Sequence, residues 1–138
     1  NVKDIDEYMV GLSKKEGLAD GLEEIDGGIT VHHACHARAQ NMGNKARDML
    51  KLIPNVKLDV VERCAGHGGT FGVMKKTHEI ANKFGKLTTA ISLKNNNKYL
   101  VSDCPLAGKH LKQLAQDTQI LKDEALHPIE LLAMSYKL

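Results

Sequence analysis

Three times in this chain of 138 residues, a short aliphatic run leads into a cysteine and then toward a helical pattern. Ile29 to His33 runs into Cys35. Val56, Leu58, Val60 and Val61 run into Cys64, and Tyr99, Leu100 and Val101 run into Cys104. The helical faces that follow are Ala46-Met49-Leu50-Ile53, Val73-Thr77-Ile80-Ala81-Phe84 and Ala107-His110-Leu111-Leu114. Strands that alternate with helices form a parallel sheet with helices on its faces. Right-handed crossovers then put every strand C-terminus on one edge, and ligands of such sheets bind at that edge. The expected fold is an α/β, Rossmann-like three-layer module with a short parallel sheet flanked by helices.

Before the first strand, Ile5, Tyr8, Met9 and Leu12 stand at i, i+3, i+4 and i+7 and predict a helix with that face inward. Asp4, Asp6 and Glu7 suit its N-terminal dipole. Gly17 and Gly21 end it, and Asp26-Gly27-Gly28 signals a turn. Pro54 and Asn55 stop the helix after the first strand. Residues 87–93 fit both a continued helix and a strand, and Asn95-Asn96-Asn97 turns the chain. Pro105 suits a first helical position. A last helix starts near Pro128 with Ile129, Leu132, Ala133 and Tyr136 on one face. The chain thus divides into an N-terminal helix and linker, 1–27, and an α/β module, 28–138.

Composition removes several classes of function. Hydrophobic residues make up 42% and charged residues 26%, an ordinary globular balance with a core. A net charge of +2 is too small to imply nucleic acid. Aromatics are 4% with no Trp, so a base-stacking surface is not expected. No apolar run reaches the ~18 residues of a membrane helix. No signal peptide opens the chain, and three cysteines cannot close a disulfide set, so free thiols in a reducing cytoplasm are expected. Asn1 in place of an initiator Met fits a piece cut from a longer chain.

Cys35, Cys64 and Cys104 are far apart in sequence but share one topological place, the C-terminal end of a strand. Helix N-termini lower thiol pKa, and the thiolate is the ligand and nucleophile form. Three such thiols make a metal or cluster site the leading reading; the plain alternative is three unrelated cysteines packing as small hydrophobes. Cys64 opens a loop, Ala65 to Gly72, with glycines at Gly66, Gly68, Gly69 and Gly72. Such a loop can turn successive N–H groups toward an anion or cluster sulfide, or simply make a tight turn. It lacks the Lys of a phosphate-binding loop, and Thr70 stands where a thiol phosphatase needs Arg. His33, His36 and His67 flank cysteines and are candidate fourth ligands. His110 lies on an apolar face and is expected to be a satisfied core residue. His127, before Pro128, is expected to hydrogen-bond locally. Lys75, Lys76, Lys109 and Lys112 are solvated helix positions unless they form a docking face.

Three blocks carry a resemblance. They are His33-Ala34-Cys35-His36-Ala37-Arg38-Ala39-Gln40-Asn41-Met42-Gly43, Glu62-Arg63-Cys64-Ala65-Gly66-His67-Gly68-Gly69-Thr70-Phe71-Gly72 and Ser102-Asp103-Cys104-Pro105-Leu106-Ala107. In that order they resemble the cysteine-rich CCG module found in the B subunit of heterodisulfide reductase and in the C subunit of anaerobic glycerol-3-phosphate dehydrogenase. The module also occurs in the iron–sulfur subunits of glycolate and lactate oxidation. The likeness runs over 28–137 and includes His127-Pro128-Ile129-Glu130-Leu131-Leu132. The family pattern, C…C-C-G…C-x-x-C, supplies five thiols. Here Ala65 and Ala107 replace two of them, so a five-cysteine double cluster cannot be held by this chain alone. The variant looks like a sub-branch of iron–sulfur-binding proteins related to heterodisulfide reductase.

The resemblance implies an electron-transfer subunit or domain of an oxidoreductase complex, without substrate chemistry of its own. It implies an iron–sulfur cluster, 4Fe–4S or 3Fe–4S, on Cys35, Cys64 and Cys104, with His67, His33, His36 or another subunit as fourth ligand. Gly66, Gly68 and Gly69 would line the cofactor. The implied partners are a flavoprotein dehydrogenase or a ferredoxin-like protein, and a second CCG module. Membrane association would come only through partner subunits. Exposed Arg38, Lys45, Lys75, Lys76 and Lys109 would form a mildly basic docking edge. Two readings from other classes stay open: a structural Cys3His zinc site in an interaction subunit, and a thiol enzyme with Cys64 as nucleophile and His67 as base.

Overall fold

The computed structural model describes residues 2–115 and 127–138. Its three strands, β1 (Ile29–His32), β2 (Leu58–Val61) and β3 (Tyr99–Ser102), form a parallel sheet in the order β2-β1-β3. Six helices accompany them among the described residues: α1 (Ile5–Lys15), α2 (Cys35–Ala39), α3 (Lys45–Leu50), α4 (His78–Lys94), α5 (Pro105–Leu114) and α6 (Pro128–Ser135). Ile29 pairs with both Leu58 and Tyr99, and His32 pairs with both Val61 and Ser102. The strands therefore end level, and the α/β sheet with flanking helices is the architecture the alternation predicts.

Side chains alternate across the sheet. Ile29, Val31, Tyr99 and Val101 face one layer, where Val10 of α1, Ala46, Met49 and Leu50 of α3, Ile53 just beyond it, and Leu131 and Leu132 of α6 complete the core. Leu100 faces the other layer, with Ala65 and with Ala107, Leu111 and Ala115 in and after α5. The ends are set by ordinary chemistry. Asp4 Oδ1 accepts from Asp6 N at 2.9 Å and starts α1. Asn44 Oδ1 accepts from Arg47 N at 2.9 Å and starts α3. Pro105 and Pro128 open α5 and α6. His127 Nδ1 accepts from Ile129 N at 3.3 Å, the local role expected of it.

Several details differ from the sequence reading. β1 stops at His32 and β2 starts at Leu58, slightly inside the expected runs. In α1 the buried residues are Asp6 and Val10, and Met9 packs against the core as expected, whereas Ile5 and Tyr8 are exposed. α4 starts at His78, not near Val73, and continues through the ambiguous 87–93. Its buried side is Ala81, Gly85, Thr88, Thr89 and Ser92, and Val73, Ile80 and Phe84 are exposed. The reason is spacing: α4 approaches its neighbours too closely for large side chains. A Cβ on Gly85 would lie 2.9 Å from the Ala65 carbonyl and 3.0 Å from His110 Nε2, and would also collide with Leu114 Cδ1. α6 buries Leu131, Leu132 and Ser135, leaving Ile129, Ala133 and Tyr136 half-buried at the rim. No helix among the described residues is long and apolar enough to cross a membrane.

Candidate metal centre

Because the strands end level, the residues just beyond them meet at one edge. Cys35, Cys64 and Cys104 line a single cavity of about 250 Å³ together with His67, Gly66, Gly68 and Gly69. His36 lines it too, but His33 does not. All three cysteines are free thiols; Cys35 and Cys64 are exposed and Cys104 is partly so. Ala65 and Ala107 are buried on the walls of the same cavity.

The thiols differ in their surroundings. Cys35 is the first residue of the short α2, and Arg38 Nη2 donates to its Sγ at 3.3 Å. Cys104 is the N-cap of α5. Cys64 follows β2 and opens a loop rather than a helix, since α4 begins only at His78. Its Sγ accepts from Gly66 N at 3.3 Å, a contact made by the turn itself. Gly66 has φ +79°, and a Cβ there would collide with the Ala81 carbonyl and reach 3.0 Å from Gly85 N. Only glycine lets the loop fold this tightly onto α4.

Behind the cysteines lies a polar framework that sequence reasoning did not assign. His32 is buried at the end of the central strand. Burial holds its pKa below the usual imidazole range, offset in part by the Arg63 carbonyl. Its Nε2 lies 2.8 Å from that carbonyl and its Nδ1 lies 2.9 Å from Ser102 Oγ. The carbonyl can only accept, so the neutral ring donates from Nε2 and accepts from the Ser102 hydroxyl at Nδ1. Ser102 Oγ accepts in turn from Cys104 N at 3.2 Å. One imidazole thus ties the residue before Cys64 to the backbone of Cys104. Asp103 does the same for Cys35: its Oδ1 accepts from Ala34 N at 2.9 Å, and its Oδ2 accepts from His33 Nδ1 at 3.3 Å. Thr88 of α4 donates to the Cys64 carbonyl at 2.7 Å. The signal available in sequence was the placing of His32, Ser102 and Asp103 at strand ends, one to three residues from a cysteine.

His67 is half-buried, and its Nε2 has no hydrogen-bond partner among the described residues. The same is true of His110 Nε2, and the two rings stand 6.1 Å apart. His110 is buried as expected, with the Ala81 carbonyl beside it. Burial holds it below the usual imidazole range, the Ala81 carbonyl pulls the other way, and the neighbouring His67 and His78 add smaller lowering contributions.

Three thiols around one cavity, two of them held by N–H donors, can serve a group with several sites of attachment. They do not close on a point: among the described residues no three His, Cys, Asp or Glu side chains are grouped to hold a single metal ion. The cavity is several times a water's share of liquid volume, about 30 Å³. The donor set, three thiols with space between them, fits an iron–sulfur cluster. Comparison with known families matches residues 29–112 to the family described as CCG, cysteine-rich domain. The match opens on the first residue of β1, closes inside α5, and contains all three strands and all three cysteines.

Proposed function

We propose that this chain, which belongs to the CCG cysteine-rich domain family found in iron–sulfur oxidoreductase subunits, holds an iron–sulfur cluster and serves electron transfer in an oxidoreductase complex. Cys35, Cys64 and Cys104 would hold the cluster, of the 4Fe–4S or 3Fe–4S kind, with His67 as the fourth ligand. The observation that carries this reading is that three thiols from three separate strand ends line one cavity with a glycine-rich turn. When bound, the cluster supplies a site for one electron at a time. The chain's residues do the rest. His32, Asp103 and Thr88 fix the loops that bear the thiols. Arg38 and the Gly66 N–H donate to two of the sulfurs, the kind of hydrogen bond that tunes cluster potential. Residues 28–138 form the working module, preceded by the 1–27 segment. The free thiols suit a reducing cytoplasm, and the partners are a flavoprotein dehydrogenase or ferredoxin-like protein and a second CCG module. A thiol enzyme has less support: no hydrogen bond joins Cys64 to His67, and the Cys64 contact is to backbone.

The test is a substitution series in protein purified without oxygen. Cys35→Ser, Cys64→Ser and Cys104→Ser should each abolish the visible absorption of the cluster, while His110→Gln keeps it. His67→Ala should change the spectrum and the potential. An unchanged spectrum in His67→Ala removes His67 from the ligand set, and three coloured serine variants overturn the centre itself.

A further inference from the structure

The stripe of α4 that helical periodicity assigns to the core faces outward. Ile80, Phe84 and Leu87 are 46%, 52% and 58% exposed. With half-buried Ile91 they stand at i, i+4, i+7 and i+11, one line along the helix. Scattered apolar residues on a surface are ordinary, but an unbroken line along one helix is how helices recognise partners. The charges along it are one-sided. Lys75, Lys76, Lys83, Lys86 and Lys94 are exposed against Glu79 alone, and none of the five lysines has an ion-pair partner among the described residues. A groove of about 350 Å³ joins this line to the cysteine edge. Phe84 and Leu87 form one side of it with Thr88; Cys64, Arg38 and Arg63 contribute the rest, with Glu62 its one acid.

We infer that this face of α4 docks an acidic protein partner, which lays a carboxylate-flanked apolar helix along Ile80, Phe84 and Leu87 and into the groove at Cys64. The lysines choose the occupant. Pairing α4 with a second copy along this line brings the exposed Lys83 and Lys94 that flank it onto one seam, and such like-charge contacts suppress association. A flat lipid surface leaves the concave groove at Cys64 uncovered. A partner rimmed with Asp or Glu satisfies both features. The inference deepens the electron-transfer reading, on which only the redox role of the partner rests.

The test uses the full chain as isolated and a synthetic helical peptide. The peptide carries Leu at i, i+4, i+7 and i+11 with Glu at the flanking positions; a Lys-flanked twin is the control, and binding is read by fluorescence anisotropy. The Glu-flanked peptide should bind at least about tenfold tighter than its twin, and rising salt should weaken it. Lys83→Glu with Lys94→Glu should reverse the preference. Phe84→Ser should abolish saturable binding while the circular dichroism spectrum stays unchanged. Equal binding of both peptides, or binding indifferent to Phe84→Ser, overturns the inference. So does a chain that sediments as a dimer dispersed by Phe84→Ser, or one that ignores both peptides yet binds phosphatidylglycerol vesicles through Phe84. Peptide affinity is read without any redox step. A chain that never holds a cluster can therefore still bind the peptide, and a chain with its cluster can fail to.

Discussion

On one face of the sheet, α1, α3 and α6 set Val10, Met49, Leu50, Leu131 and Leu132 against Ile29, Val31, Tyr99 and Val101. On the other, α5 and the residue after it offer Ala107, Leu111 and Ala115 to Leu100, half-buried Leu93 of α4 packs against them, and the fully buried residues of α4 are all small. The first layer is an aliphatic core of the kind that supplies stability. The second is thin and held by close backbone approach and hydroxyl bonds: Thr88 to the Cys64 carbonyl, Thr89 to the Leu111 carbonyl at 3.4 Å, Ser92 to the Thr88 carbonyl at 2.9 Å. Closeness lets the Cys64 turn reach back to the strand ends. The cost of that closeness is that Ile80, Phe84 and Leu87 of α4 are left outside.

The contrast is broken most forcefully by cutting the thick layer. Leu50→Ala should lower unfolding free energy by about 2–5 kcal/mol, whereas Phe84→Ala, which removes a larger side chain from α4, should stay within about 0.5 kcal/mol. Urea titration of the two variants compares the layers directly, and a large loss in Phe84→Ala contradicts the outward placement of that face.

The thick layer has a polar flaw. Asp6 is buried with neither carboxylate oxygen partnered among the described residues. Burial, with smaller contributions from the Asp4 and Asp103 carboxylates, raises its pKa from 3.8 to about 7. The unfolded chain then releases this proton at lower pH than the folded one. Folding takes up a proton between the two values, so this group's contribution falls as pH rises from about 4 to about 7 and is level above. At about 1.4 kcal/mol per pKa unit the loss is about 4 kcal/mol at most. Asp6→Asn should flatten that slope in urea titrations between pH 5 and 8, and gain most over the parent at pH 8. A parent whose stability rises over this range, with Asp6→Asn following it, contradicts the assignment.

A smaller effect sharpens the comparison on the thin side. Thr88→Val keeps the shape but removes the donor to the Cys64 carbonyl, at about 1–2 kcal/mol. It should also speed alkylation of Cys64 in metal-free protein relative to Cys35. Equal rates before and after the substitution mean that α4 does not hold that loop.

These two layers also separate what was legible in the sequence from what was not. The strands ending toward Cys35, Cys64 and Cys104 are legible as short apolar runs, and their convergence follows from parallel topology. The inward face of α5, Ala107, His110 and Leu111, follows from period-3.6 spacing. The same logic finds Ala81 in α4 but fails for Ile80 and Phe84, because it reads large apolar side chains as buried, and here the other buried residues are Gly85, Thr88, Thr89 and Ser92. It fails in α1, where a carboxyl, Asp6, takes an inward place while Ile5 and Tyr8 stay out. At the centre, the cavity-lining cysteines and glycines were legible as a set. The framework of His32, Ser102 and Asp103 was not, since it exists only once the strand ends are level.

The central claim is that the three strand-end thiols hold an iron–sulfur cluster, and the most direct measurement is metal and acid-labile sulfide analysis of the chain purified without oxygen. The account predicts iron and sulfide together, lost on exposure to air because three thiolates leave one iron to the weaker hold of the His67 imidazole. Zinc without sulfide in the anaerobic protein would contradict it.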